Sequence, residues 1–233
     1  MQQTKTSILS TRPLNQSLIA EAKAAGIAID EISFIETEPV QSVEVQQEIE
    51  QAYLQTATVV FTSMNAVDAV TSWQDGQQPD WDIYCIGNTT KQLIIENFGE
   101  HSVAGTANSA AELAELIVRE SDADEIIFFC GDQRRDELPA ILQNKGIGVD
   151  EIVVYETTAV PHKVEKNYDG ILFFSPSAVD SFFQTNTITA QTILFAIGFT
   201  TAAAIKKYST NQIIISSEPG KENLFRAMME QFS

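Results

Sequence analysis

Basic residues are scarce in this chain. Lys and Arg number 14 against 32 Asp and Glu, giving a formal charge of −18 and a pI near 4.3. A protein that tracks nucleic acid neutralises phosphates with clustered Lys and Arg, and no such cluster occurs. Anionic membrane surfaces are disfavoured for the same reason. Cysteine is nearly absent: Cys85 and Cys130 each sit in an apolar strand-like run, which reads as buried free thiols in a reducing cytoplasm. With only His101 and His162 and no CxxC, the chain has no zinc-site signature. No apolar run approaches the ~18 residues of a membrane span. The first residues lead straight into a strand-like run, without a secretory h-region or cleavage site, so a cytoplasmic location is expected. GxGxxG and GxxxxGK[ST] are missing, and with them the signal for dinucleotide or nucleotide phosphate binding. There is no GxSxG elbow, and neither histidine lies in a motif, so a Ser–His triad is unsupported.

What is present is core material. Apolar residues make up 44% of the chain, including 13 Phe, which separates it from disordered acidic sequences. Its 233 residues fit one large domain or two small ones. Short β-rich runs alternate with helical patterns. Strands are expected at Ser7–Ser10, Glu31–Ile35, Thr58–Thr62, Ile83–Ile86, His101–Val103, Glu125–Cys130, Glu151–Tyr155, Ile171–Phe174, Thr192–Ile197 and Gln212–Ile215. Most are continuous apolar runs, as in parallel strands covered on both faces. Helix starts are readable at Asn15, at Ser42 and at the capping box Ser109-x-x-Glu112; Gly26 and Gly146 read as stops.

The chain also repeats itself. Gly26-Ile27-Ala28-Ile29-Asp30-Glu31-Ile32 aligns with Gly146-Ile147-Gly148-Val149-Asp150-Glu151-Ile152 at an offset of 120 residues. Phe61-Thr62-Ser63 through Ala66-Val67-Asp68 aligns with Phe173-Phe174-Ser175 through Ala178-Val179-Asp180 at 112. Ile86-Gly87-Asn88-Thr89-Thr90 aligns with Ile197-Gly198-Phe199-Thr200-Thr201 at 111. This is an internal duplication of βα units. The chain starts with two strands, runs five together and ends with three. Two arrangements fit. One builds a lobe from residues 38–157 and another from 1–37 with 158–233, with crossings near Glu36–Pro39 and Glu156–Pro161. The other splits the chain into contiguous lobes near residue 122.

In a doubly wound sheet, ligands bind beyond the carboxyl ends of the strands. Four repeated turns end there, carrying Ser63 and Asn65, Thr90, Ser175 and Ser177, and Thr200 and Thr201. Hydroxyls, backbone N–H groups and helix N-termini suit a carboxylate or phosphate. The same residues are also the preferred N-caps, so plain capping fits equally. Arg12 follows the first strand, and a guanidinium there suits bidentate pairing with a carboxylate. Arg134 and Arg135 occupy the equivalent place in the other copy, where a solvated helix start is the alternative. Tyr155 ends a strand beside the second crossing, and its repeat counterpart is Ile35. A phenol there is either an ordinary strand aromatic or a proton donor.

Taken together and in chain order, these residues resemble the uroporphyrinogen-III synthase family. The matching stretches are Ser10-Thr11-Arg12-Pro13, Phe61 through Val67, Ile86 through Thr90, Gly131 through Arg134 with Leu138, Val154-Tyr155-Glu156-Thr157, Phe174 through Val179, and Ile197 through Ala203. They span nearly the whole chain. One departure is Cys130, where many members carry Arg, leaving Arg134 to supply a basic contact. The resemblance implies an α/β protein of two flavodoxin-like, doubly wound parallel-sheet lobes, interleaved as in the first arrangement and joined by two hinge segments, with the active site in the cleft. It implies a cofactor-free lyase that closes linear hydroxymethylbilane to uroporphyrinogen III, with loss of water and inversion of ring D; separately, a monomer is expected. It carries the family tyrosine onto Tyr155 and the hydroxyl and amide contacts onto Ser63, Asn65, Thr90, Ser175, Ser177, Thr200 and Thr201. A non-catalytic two-lobed binding or sensor protein for a small anion is the alternative from another class.

Overall fold

The computed structural model describes residues 6–232 apart from 75, 77 and 219. The chain divides into two compact units. One takes the chain up to Glu36 together with everything from Thr158 onward; the other takes Thr37–Thr157.

The first unit opens with β1 (Ser7–Ser10), α1 (Gln16–Ala24) and β2 (Ala28–Glu31). The chain then leaves through β3 (Ile35–Pro39). The second unit continues with α2 (Val43–Tyr53), β4 (Ala57–Phe61), α3 (Met64–Thr71), β5 (Trp81–Ile86), α4 (Asn88–Phe98), β6 (Val103–Ala107), α5 (Ala110–Glu120), β7 (Glu125–Gly131), α6 (Glu137–Asn144) and β8 (Gly148–Ala159). Back in the first unit come β9 (Gly170–Phe173), α7 (Pro176–Thr185), β10 (Ile193–Ala196), α8 (Phe199–Ile205), β11 (Ile213–Ile215) and α9 (Lys221–Phe232).

The sheet orders carry the duplication into three dimensions. The first unit's sheet runs β11-β10-β9-β1-β2, which is the flavodoxin-like order 2-1-3-4-5 read from its far edge. The second runs β3-β8-β7-β4-β5-β6. Setting β3 aside, β8, β7, β4, β5 and β6 occupy the places of β2, β1, β9, β10 and β11. The second unit is therefore the same sheet with its strands visited in permuted order. Apart from β3 on β8, the pairings within both sheets are parallel, including β1 with β2 and β9, and β4 with β5 and β7.

Parallel strands covered on both faces need apolar side chains on both. In β4, Val59 and Phe61 face one core with Phe129, Trp81 and Ile83, while Val60 faces another with Phe128 and Leu113. Phe61 stacks on Phe129 with ring centroids 5.4 Å apart. Burying each such ring is worth roughly 1.5–3 kcal/mol. In the first unit, Leu9, Ile171 and Phe173 serve one core and Ile8, Leu172 and Phe195 the other.

Several local expectations change. The strand expected over Glu31–Ile35 is two strands, because Phe34 turns away and buries completely, edge-on to Phe182 with centroids 5.2 Å apart. Asn15 does occupy an N-cap, but its side chain makes no capping bond. Ser42 caps as expected, accepting from Val45 N at 3.2 Å. Ser109 accepts from Glu112 N at 3.2 Å, while Glu112 returns to Asn108 N, one residue earlier than in a capping box. The crossings are paired strands rather than irregular linkers. Val160 N donates to Phe34 O at 2.9 Å and Val40 N to Val154 O at 2.9 Å, so β3 and β8 run in opposite senses.

Candidate active site

Strand order locates where each unit can take a ligand. In the second unit, β4, β5 and β6 progress one way and β7 and β8 the other, so the order reverses between β4 and β7. A crevice opens outside the carboxyl ends of strands at such a point. Ser63 follows β4 there, and Gly131 ends β7.

Tyr155 reaches the same point through an irregularity in β8. Cys130 pairs with Val153 and Gly131 with Tyr155, leaving Val154 as an extra residue without a partner in β7. Such a bulge re-aims the next side chain along the strand. Ile152 and Val154 are buried in one core, and Tyr155 packs against that same core instead of pointing to the opposite face. The ring lies on Gly131: a Cβ there would stand 2.4 Å from Tyr155 Cζ and 2.8 Å from its hydroxyl oxygen. The backbone on either side is fastened. Asp132 N donates to Tyr155 O at 3.1 Å. Thr157 N donates to Asp132 Oδ1 at 2.9 Å, and Gln133 Nε2 to Thr157 O at 2.9 Å.

The electrostatics keep this phenol protonated. Burial is the main influence and raises its pKa; the Asp132 carboxylate, and Cys130 wherever it ionises, push the same way. A hydrogen bond with the Ser63 hydroxyl opposes them by favouring the ionised form. Ser63 Oγ also accepts from Asn65 N at 3.2 Å as the cap of α3. Capping and the contact with Tyr155 thus share one hydroxyl. The neutral phenol is a hydrogen-bond and proton donor beside a second hydroxyl able to steady its anion.

Other expected residues of this unit lie at the neighbouring strand ends. Thr90 is buried in the first turn of α4. Gly87, at φ +79°, gives its N–H to Ala107 O at 3.1 Å, and no side chain caps α4. Arg134 differs from expectation. Its guanidinium is held by Asp136 and Glu151, so an incoming carboxylate would compete with two resident ones. Arg135 is exposed.

In the first unit the order reverses between β1 and β9. Thr11 is buried and gives both N–H and Oγ1 to Leu172 O, at 3.1 and 2.8 Å. Ser10 Oγ donates to Arg12 O at 2.5 Å. These bonds fix the loop and leave the Arg12 side chain exposed, in no ion pair among the described residues. Ser175, beyond β9, caps α7 and accepts from Ala178 N at 3.1 Å. Ser177 is half-buried, Thr200 exposed and Thr201 buried. One neighbour escaped the sequence reading. Lys221, the first residue of α9, donates to Pro13 O at 3.2 Å, beside Arg12. Those partners are 208 residues apart and share no local motif. A cavity of about 350 Å³ between β11 and α9, lined by Ile214, Asn223, Arg226 and Glu230 among others, holds none of the expected residues.

The family model described as uroporphyrinogen-III synthase HemD matches residues 16–226. This chain belongs to the uroporphyrinogen-III synthase family. A curated uroporphyrinogen-III synthase from Saccharomyces cerevisiae is 24% identical over 212 residues, covering 76% of this chain and 77% of that protein. Among solved structures, a mutant uroporphyrinogen III synthase from Thermus thermophilus aligns with TM-score 0.66 at 14% identity, covering 97% of both chains. The uroporphyrinogen-III synthetase of Helicobacter pylori also aligns at 0.66, with 15% identity over 97% of this chain and 99% of its own. At such identities the structural likeness speaks for the fold, and the family match for the activity. The chain is a cyclising lyase of tetrapyrrole biosynthesis acting on hydroxymethylbilane. Among the described residues no helix is long and apolar enough to cross a membrane, and no group of His, Cys, Asp and Glu is placed to hold a metal ion.

Proposed function

We propose that Tyr155 and the strand-end loops carry the closure of hydroxymethylbilane to uroporphyrinogen III, with Tyr155 assisting departure of the ring A hydroxyl. The C–O bond breaks, the phenol proton leaves with the oxygen as water, and a cationic azafulvene remains. Ser63 steadies the tyrosine anion through its hydrogen bond. The substituted carbon of ring D attacks to give a spirocyclic intermediate, which reopens with the ring inverted. The unsubstituted α-carbon of ring D attacks the ring C azafulvene cation that this reopening leaves, closing the macrocycle. Transfer of that carbon's proton to the tyrosine anion restores the pyrrole and the phenol.

The linear substrate closes without inversion when left alone, so the protein's main task is to impose geometry. Its eight carboxylates offer many handles. In this reading Arg12, Ser63, Asn65, Thr90, Arg134, Ser175, Ser177, Thr200 and Thr201 hold them, and both units contribute. No cofactor takes part in any step. The observation that carries the reading is a protonated, half-buried phenol seated on Gly131 at the strand-order reversal, bonded to Ser63.

We take the chain to act as a cytoplasmic monomer without a nucleic-acid partner, a view supported by its charge of −18. The deciding experiment supplies hydroxymethylbilane and identifies the isomer formed. Type III product at enzymatic rate is expected; type I alone, at the spontaneous rate, would refute the reading.

A further inference from the structure

Lys221 stands where an ammonium group is poorly placed. It opens α9, where the helix dipole repels a cation. It is half-buried, and its neighbour Arg12 carries the same charge. It donates to the Pro13 carbonyl, which holds the ammonium against the β1 loop. Neither cation forms an ion pair among the described residues. The nearby carboxylate is Glu31, and its Oε1 already accepts from Leu14 N at 2.5 Å. Two cations are thus gathered at the carboxyl end of β1, in the first unit's ligand-binding position, in a chain of charge −18.

We propose that Lys221 is a substrate-positioning residue that joins Arg12 in binding one carboxylate of the linear tetrapyrrole. A carboxylate set between them would relieve their repulsion and supply the missing counter-charge. Burial first, and the charge of Arg12 second, draw the Lys221 ammonium below its usual range, with Glu31 opposing; a bound carboxylate would reverse that trend. This inference rests on the functional reading proposed for Tyr155 and the strand-end loops, and adds a residue that no motif marks.

The test uses Lys221→Gln, which can still donate to Pro13 O but has lost the charge, and Lys221→Arg, which keeps the charge. Two readouts are taken: steady-state kinetics with hydroxymethylbilane, and titration with uroporphyrin, a stable octacarboxylate macrocycle. Lys221→Gln is expected to raise KM about tenfold and weaken uroporphyrin binding similarly, the loss of one charged hydrogen bond. It should leave kcat within about twofold and should not lower the melting temperature. Lys221→Arg should restore most of the affinity. Unchanged KM and uroporphyrin affinity in Lys221→Gln would overturn the inference, as would equal losses in the Gln and Arg variants. If the wild type forms no type III product while Lys221→Gln still weakens uroporphyrin binding, the cationic site stands and the functional reading fails.

Discussion

The ring of Tyr155 fills the space where any side chain on residue 131 would lie, since a Cβ on Gly131 would stand 2.4 Å from Tyr155 Cζ. The two residues are partners across β7 and β8, at the bulge that leaves Val154 unpaired. The glycine is therefore required by close approach rather than by a left-handed backbone. Gly131→Ala should displace the ring, cost about 1–3 kcal/mol of stability as overpacking does, and cut turnover at least about tenfold by misplacing the phenol. Urea unfolding paired with the cyclisation assay measures both. Unchanged turnover would mean that the seat of the ring does not matter.

Tyr155→Phe separates the ring from its hydroxyl. The phenyl group still packs on Gly131, so stability should stay within about 1 kcal/mol. Turnover should fall on the order of 100-fold, the lower range for positioned acid catalysis. Because burial raises the phenol pKa above its ordinary 10.0, ionisation of Tyr155 should not limit wild-type kcat near neutral pH. A falling limb near neutral pH that vanishes in Tyr155→Phe would contradict the assignment.

Ser63 serves α3 and Tyr155 with one hydroxyl. Ser63→Ala should lose about 1 kcal/mol through the cap and should also slow turnover. Combined with Tyr155→Phe, its effect on turnover should be less than additive, since the partner it acts through is gone. Strict additivity in the double-mutant cycle would separate the two residues.

Much of this arrangement is readable from local sequence, and the rest depends on distant contacts. β1 lies at the expected residues, and the strands built on continuous apolar runs, such as β7 and β9, lie within a residue or two, because burial on both faces writes itself into composition. The repeat also foretells which strands occupy equivalent places. β6 lies later than the expected His101–Val103, since Val-Ala-Gly-Thr-Ala has weak strand character and forms by pairing at the sheet edge. Ile32-Ser33-Phe34-Ile35 reads as a strand, yet Phe34 finds its core by leaving it. At the candidate site, Tyr155 is visible in the sequence because it breaks the repeat, standing opposite Ile35. Its contact with Gly131 and the approach of Lys221 to Pro13 are not, because each depends on partners far apart in the chain.

The thiols offer an independent check on burial. Burial is the main cause that raises Cys85 and Cys130 from 9.0 to about 11. Glu151 adds to the rise at Cys130 and Arg134 opposes it, while Lys91 opposes it at Cys85. Both should resist alkylation in the native state at pH 8 and react fully in urea. A group whose folded pKa is raised gives its full stabilisation below its unfolded value. The contribution of these thiols should therefore be intact below pH 9 and be withdrawn as the pH rises from 9 toward about 11. Unfolding midpoints measured across that range should fall, and rapid native labelling at pH 8 would place the thiols at the surface.

The measurement that reaches the centre of this account is isomer analysis of the product made from hydroxymethylbilane by the wild type and by Tyr155→Phe. The wild type should give type III product at enzymatic rate. Tyr155→Phe, still folded, should give it on the order of 100-fold more slowly. Type III product formed at equal rates by both proteins would contradict the role assigned to Tyr155, and type I alone from the wild type would contradict the account as a whole.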